Sequence, residues 1–215
     1  MNSQRDGEDV VDTIIVALDK GLKTLSGNYQ SSRPNPAEDI PSNEMSDAER
    51  LHAGGLMRVN HVGEICAQAL YEGQALTASS ESVKKKLQKA GEEERDHLAW
   101  CSSRLEELDS RQSFLTPFFY VSSFCIGALT GLLGDKYSLG FVEATEDRVV
   151  EHIEEHLDSL PENDERSRAV LEQMREDERR HGEDALAFGG SEFSKRTKNG
   201  MKVIAGLMTK STYRF

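Results

Sequence analysis

Residues 91–100 read Gly-Glu-Glu-Glu-Arg-Asp-His-Leu-Ala-Trp, and inside them Glu94 stands three positions before His97. On an α-helix, positions i and i+3 share a face, so this carboxylate and this imidazole can point at one place. The same spacing recurs at Glu178/His181 and at Glu49/His52. With 24 glutamates in 215 residues and six histidines, chance supplies fewer than one such pair. A single Glu-x-x-His says little, because exposed helices are rich in glutamate. Two of them on separate long helices become specific if each follows a helix with a lone inward glutamate. A four-helix bundle that holds two metal ions takes one Glu from each of two helices and one Glu-x-x-His from each of two others.

The first lone glutamate is Glu64, the only acidic residue between Leu51 and Tyr71, with Val62, Ile65 and Ala67 around it. A solvated helix face does not explain a carboxylate there. It precedes Glu94 by 30 residues, the span of two antiparallel helices and a short turn. Upstream of Glu178 stand Glu143 and Glu146. Repeat symmetry selects Glu146: Glu64 to Glu146 is 82 residues and Glu94 to Glu178 is 84, whereas Glu143 gives 79 and is the fallback. The chain then reads as two helix pairs, each supplying Glu and then Glu-x-x-His. Glu64, Glu94, His97, Glu146, Glu178 and His181 are four carboxylates and two imidazoles, a donor set suited to two iron ions with positions open for dioxygen. No cysteine pair has zinc spacing. Four buried carboxylates without a cation would be costly. The remaining histidines read as bystanders. Glu49/His52 is surface charge, His61 a polar residue at the bundle end, and His152 and His156 a face that is solvated or adjoins the site.

Around these residues the chain reads as all-α, since period-2 alternation is absent. Apolar spacing from Val10, Val11 and Ile14 to Leu25 predicts an amphipathic helix over 9–25. Residues 28–43, with Pro34, Pro36 and Pro41, predict an extended, mobile linker. Residues 1–45 are thus an N-terminal extension and 46–215 the bundle domain. Ser46-Asp47-Ala48-Glu49 has the form of a capping box and opens a helix to about Ser79. Further helices are predicted from Ser82 to Leu108, from Ser138 to Leu160, from Glu165 to Phe188 and from Glu192 to Thr209. Residues 114–134 contain no charge and form a crossover helix, buried or lying at an interface; by length a bilayer span is the alternative.

Composition limits the partners. A net charge of −12 argues against nucleic acid. Three scattered cysteines fit a reduced compartment, and the acidic N-terminus is not a secretory leader. Residues 191–215 nevertheless carry six Lys or Arg against Glu192 alone. With Met201, Val203, Ile204, Leu207 and Met208 they form a basic amphipathic helix, suited either to an anionic membrane surface or to docking on the acidic bundle.

Four motifs in order resemble the Coq7 family, the demethoxyubiquinone hydroxylases. They are Arg58-Val59-Asn60-His61-Val62-Gly63-Glu64, Glu93-Glu94-Arg95-Asp96-His97-Leu98, Gly131 to Lys136 followed by Glu143 to His152, and Asp177-Glu178-Arg179-Arg180-His181. The resemblance covers about residues 46–215 and implies a ferritin-like di-iron bundle whose ligands fall on the six residues chosen above. It implies that His152 lies close to the iron. One departure is Asp147, where the family often has a second glutamate. The implied reaction is O2-dependent hydroxylation of 5-demethoxyubiquinone with reducing equivalents from NADH, in ubiquinone biosynthesis. The implied partners are a polyprenyl quinone, a membrane surface and a lipid-binding accessory protein. Peripheral attachment would be to the cytoplasmic face of a bacterial cell membrane or the matrix face of a mitochondrial inner membrane. No G-x-G-x-x-G fingerprint is present, so no Rossmann NAD site is expected. Other readings are a rubrerythrin-like peroxidase, a ferritin-like ferroxidase, and a metal-free membrane adaptor with solvated acidic helices. The first would bring a four-cysteine domain, and the last does not account for Glu64.

Overall fold

The computed structural model describes residues 2–214. Among them lie seven α-helices and no strand: α1 (Asn2–Leu25), α2 (Asp47–Thr77), α3 (Glu81–Glu107), α4 (Thr116–Leu132), α5 (Asp135–Ser159), α6 (Glu165–Ala187) and α7 (Lys195–Thr212). The Ser46 box forms as read, its side chain accepting from the Glu49 N–H while the Glu49 carboxylate returns to the Ser46 N–H. Such a cap stabilises a helix start by about 1 kcal/mol. The side chains of Val10, Val11 and Ile14 lie outside the described part of α1; Ile15, Leu18 and Leu22 are exposed.

Two apolar clusters show how α2, α3, α5 and α6 run. One contains Leu56 and Met57 of α2, Trp100 and Leu105 of α3, Ile153 and Leu157 of α5, and Leu171 and Met174 of α6. The other contains Tyr71 and Ala75, Val83 and Leu87, Leu139 and Val142, and Ala185 from the same four helices. Going up the chain, α2 and α6 run from the first cluster to the second, and α3 and α5 run back. Short turns therefore join antiparallel pairs α2–α3 and α5–α6. The six candidate ligands fall between the clusters on every helix, so the bundle is a polar layer between two apolar ones. Because α3 ends at the first cluster and α5 begins at the second, the chain must cross the bundle's length, and α4 does so.

Helix α4 lies on α2 with its backbone almost touching. A Cβ at Gly127 would come within 2.3 Å of the Leu70 carbonyl oxygen, and one at Gly73 within 2.3 Å of the Phe124 oxygen. Gly127 and Gly131 of the uncharged stretch make this contact possible. Its other side, with Phe118, Val121, Leu129 and Leu132, is exposed. No helix among the described residues is long and apolar enough to cross a membrane, α4 included, so the spanning alternative is set aside.

Helix α7 turns part of its basic side inward. Lys198 donates to Glu143 Oε1 at 2.6 Å and Asp147 Oδ2 at 3.0 Å, and Lys202 to Glu151 Oε2 at 3.4 Å, all on α5. Val203, Ile204 and Leu207 remain exposed. The docked reading thus accounts for two of the basic residues, and the apolar face is left over.

The linker expectation needs correction. Residues 28–43 form neither helix nor strand, turn at 36–39, and are anchored. Ala37 is buried in the first cluster, Arg166 of α6 donates to the Ile40 carbonyl, and Asn43 Nδ2 donates to the Asn163 carbonyl at 3.1 Å. Prolines set an extended backbone, and they say nothing about what that backbone touches.

Candidate metal centre

Glu64, Glu94, His97 and Glu178 bring ligand atoms within 4.8 Å of one another, all of them buried. His97 Nδ1 is 3.2 Å from Glu64 Oε2, 3.2 Å from Glu94 Oε2 and 2.9 Å from Glu178 Oε1. His181 Nδ1 is 3.3 Å from Glu94 Oε1 and 3.2 Å from Glu178 Oε2. Glu94 and Glu178 therefore each turn one oxygen to each imidazole. Glu146 completes the group, its Oε1 accepting from Tyr71 Oη at 2.6 Å. Glu143 faces Lys198, so the structure separates the two candidates and turns Glu146 inward.

Three carboxylate oxygens crowd one nitrogen of His97, which has at most one proton there. Glu146 Oε2, Glu94 Oε1 and Glu178 Oε1 have no hydrogen-bond partner of good geometry among the described residues. Buried oxygens seldom go unpaired, and a cation at their centre would satisfy them. The outer nitrogens fit the same conclusion. His97 Nε2 is 3.1 Å from Asp177 Oδ2 and His181 Nε2 is 3.1 Å from Glu93 Oε2. A carboxylate can only accept, so each Nε2 carries a proton and each Nδ1 can offer its lone pair inward. The donor set of carboxylates and imidazoles, with no thiolate in it, suits iron.

Without metal, protons hold this layer together. Burial drives the Glu64 and Glu146 carboxyls well above their usual range, reinforced by Glu178 and Glu94. Burial works to lower both imidazoles, yet Glu178 and Asp177 raise His97 well above its ordinary value, and Glu178 and Glu94 push His181 up to about 12. All four raised groups bind protons in the folded state that they release on unfolding, so their stabilisation is full below the unfolded values and fades as pH rises. Glu94 and Asp177, held low by the histidines despite burial, act in the opposite sense only in acid. The Tm of the metal-free protein should therefore fall as pH rises above 6.5, the ordinary histidine value. Loading with iron(II) should flatten the slope, because the metal replaces the protons. Calorimetry across that range checks this; a metal-free Tm that rose with pH would contradict it.

His52 and His61 fall differently from expectation. His52 is not surface charge: Nδ1 lies 2.7 Å from Tyr213 Oη and Nε2 2.9 Å from the Ser159 carbonyl, tying α2 to the ends of α5 and α7. His61 is not at a bundle end but fully buried, its ring against Tyr29 and neither nitrogen paired, and burial lowers it to about 4. A neutral imidazole is tolerated there as a largely apolar ring. The His152 and His156 rings meet at 57° with centroids 4.1 Å apart, and Asn60 Nδ2 approaches His156 Nδ1 at 2.9 Å. The remaining recorded partners of His152 are Glu155 and Arg148, none of them a candidate ligand.

Sequence reasoning missed Tyr71, Glu93, Asp96 and Asp177 around the ligands. Tyr71 follows Glu64 by seven residues, two turns along the same face, a signal that was there to use. It keeps its proton, since burial and then Glu146 raise the phenol well above its usual value. Tyr71 also lines a cleft of about 1150 Å3 between α1 and the α2–α3 pair, together with Val16, Tyr29, Gln68, Leu87 and Gly91.

Comparison with known proteins agrees with this geometry. The family model described as ubiquinone biosynthesis protein COQ7 matches residues 51–212. A 3-demethoxyubiquinol 3-hydroxylase of Pseudomonas fluorescens (strain Pf-5) is 53% identical over 207 residues, covering 95% of each chain. Proteins of the same name from Pseudomonas paraeruginosa and Pseudomonas aeruginosa are 51% identical over 207 residues, again covering 95% of each chain. With a bundle that brings candidate ligands from all four motifs into one buried layer, the chain belongs to the COQ7 family of ubiquinone-biosynthesis proteins.

Proposed function

We propose that this protein is a di-iron hydroxylase that acts on the demethoxyubiquinol ring in ubiquinone biosynthesis, using O2 and electrons from NADH. One observation carries the proposal: Glu94 and Glu178 each reach both inward-facing imidazoles, leaving Glu64 on the His97 side and Glu146 near His181. Glu94 and Glu178 would serve both ions, with Glu64 and His97 helping to hold one and Glu146 and His181 the other. When bound, the irons would supply the reduction of O2, one oxygen atom going to the ring carbon and the other to water. The substrate follows the relatives' name, which gives the reduced ring; the sequence resemblance had implied the quinone.

The chain's own residues do the rest. The cleft is large enough for a quinol head and the start of a prenyl tail. Gln68 donates from Nε2 to Glu72 at 2.7 Å and has a buried Oε1 without a partner among the described residues, which suits a quinol hydroxyl. Tyr71, in the same wall, holds a proton at Oη against Glu146. Val16, Leu76 and Leu87 add apolar surface to a lining that is otherwise largely polar. The exposed apolar residues of α4 and α7 support a peripheral position on the membrane where a polyprenyl substrate resides, with basic residues of α7 adding about 1 kcal/mol each near anionic headgroups.

One experiment tests the reading. The purified protein is loaded with iron(II) and given NADH, air and a polyprenyl demethoxyquinol in anionic vesicles, and both product mass and sedimentation with the vesicles are measured. About two irons per chain, a product heavier by one oxygen atom, and co-sedimentation are expected. Iron oxidation without product would move the function to the ferroxidase reading. Turnover with the protein left in the supernatant would remove the membrane position alone.

A further inference from the structure

The N-terminal segment reaches the back of the metal centre. The Ser32 N–H donates to Asp96 Oδ1 at 2.6 Å and Arg33 Nε to Asp96 Oδ2 at 2.7 Å. The same guanidinium donates from Nη1 to Asp177 Oδ2 at 2.7 Å, the oxygen that also lies 3.1 Å from His97 Nε2. Asp96 adjoins His97 on α3 and Asp177 adjoins Glu178 on α6, so one side chain joins the two helices at their ligand-bearing turns. The guanidinium lies 4.8 Å from the centre of the Trp100 ring, and that ring is 5.4 Å from His97. Asp96 and Asp177 are 2% and 0% exposed.

We propose that Ser31–Arg33 is a clamp whose Arg33 positions His97 for the metal by seating Asp177 against the outer nitrogen of the ring. Arg33 is a positioning residue, since it touches no reacting atom. The inference rests on the metal-centre reading above. The planar fork of arginine addresses two carboxylates at once, which an ammonium does not. Without it, Asp177 keeps Arg180 at 2.9 Å and Gln173 at 3.3 Å, both on Oδ1, so Oδ2 is left with His97 Nε2 as its one recorded hydrogen-bonding neighbour and loses the cation that seats it there. Asp96 keeps only its serine donors, and two buried carboxylates are left facing each other across the gap. The His97 ring then loses the partner that sets its tautomer and tilt. Loss of such an outer partner typically weakens metal affinity by roughly 10–100-fold.

The test uses the full chain loaded with cobalt(II), whose visible spectrum reports ligand geometry. Metal release to a chelator, the spectrum and the metal-free Tm are compared for wild type, Arg33→Ala and Arg33→Lys, with Glu178→Ala as the ligand control. Arg33→Ala should release cobalt roughly 10–100 times faster with an altered spectrum. Added guanidinium ion should slow the release, and Arg33→Lys should fall between. Wild-type release and spectrum in Arg33→Ala, even with a lowered metal-free Tm, would make the clamp a structural tie and overturn the proposal. If Arg33→Ala does not fold, wild-type behaviour of Arg33→Lys overturns it equally. Failure of the wild type to take up cobalt would instead overturn the metal-centre reading, and the clamp with it.

Discussion

Glu178→Ala should remove metal and turnover together. Glu178 turns Oε1 to His97 at 2.9 Å and Oε2 to His181 at 3.2 Å, so its loss takes a ligand from both proposed ion positions at once. Glu64 and Glu146 each serve one side, and substituting either should leave the opposite ion more firmly held. Iron content of the Glu178 variant should drop from about two per chain to well below one, by direct metal assay. Product formation should fall with it, because neither half of the centre survives complete. The stability consequence has a sign and a size. A metal present at a thousand times its Kd stabilises the folded state by about 4 kcal/mol. For a chain of this length, that is a rise in Tm of roughly 8–16 °C in the wild type. Glu178→Ala should show little or none of that rise, while Glu49→Ala, which loses only a helix cap, should keep the full rise on a slightly lower baseline. Full iron and turnover in the Glu178 variant would disprove the ligand assignment.

Which parts of this arrangement were legible follows from how local their causes are. The four bundle helices were, since their apolar periodicity is local and Pro161 and Gly189-Gly190 mark their ends. Glu64 stood out because burial of a carboxylate leaves a trace in its neighbours: an acidic residue amid Val62, Ile65 and Ala67 has no solvated face to belong to. Glu146 was separated from Glu143 only by the internal repeat. The physical reason is now visible in Lys198, which reaches back from α7 to neutralise Glu143. Arg33 could not be read. Its partners lie 63 and 144 residues away, and nothing in a proline-rich stretch distinguishes an anchored strand from a loose one. His61 misled for the opposite reason. A neutral imidazole among apolar residues is disguised as polar by its residue type, while the interior treats it as a ring. His52 was assigned to the surface through its glutamate neighbour, but its position is set by Tyr213 at the far end of the chain.

The same limit applies to α4, and there it yields the second large effect. The uncharged composition of 114–134 says that the helix meets apolar surroundings, whether protein or lipid. It does not say which face meets which. The glycines decide. At Gly127 an added methyl would sit 2.3 Å from the Leu70 carbonyl oxygen and 3.0 Å from the Leu70 Cα, both backbone atoms of α2 that no side-chain rotation can move aside. Gly127→Ala must therefore push the two helices apart along the seam that also includes Gly73. Overpacking of this kind costs about 2–3 kcal/mol, near the upper end because rigid main chain takes the strain. The Tm should fall by roughly 5–10 °C. Gly200→Ala on α7 makes the contrast, since nothing lies within 4 Å of its added Cβ. It should gain about 0.5–1 kcal/mol from helix propensity alone. At low temperature Gly127→Ala should still bind its metal, because the candidate ligands come from α2, α3, α5 and α6 and none from α4. Equal Tm values for the two alanine variants would mean that α4 does not lie on α2 by backbone contact. The exposed faces of Phe118, Val121, Leu129 and Leu132 would then have to be assigned anew, because it is the glycine seam that turns them outward.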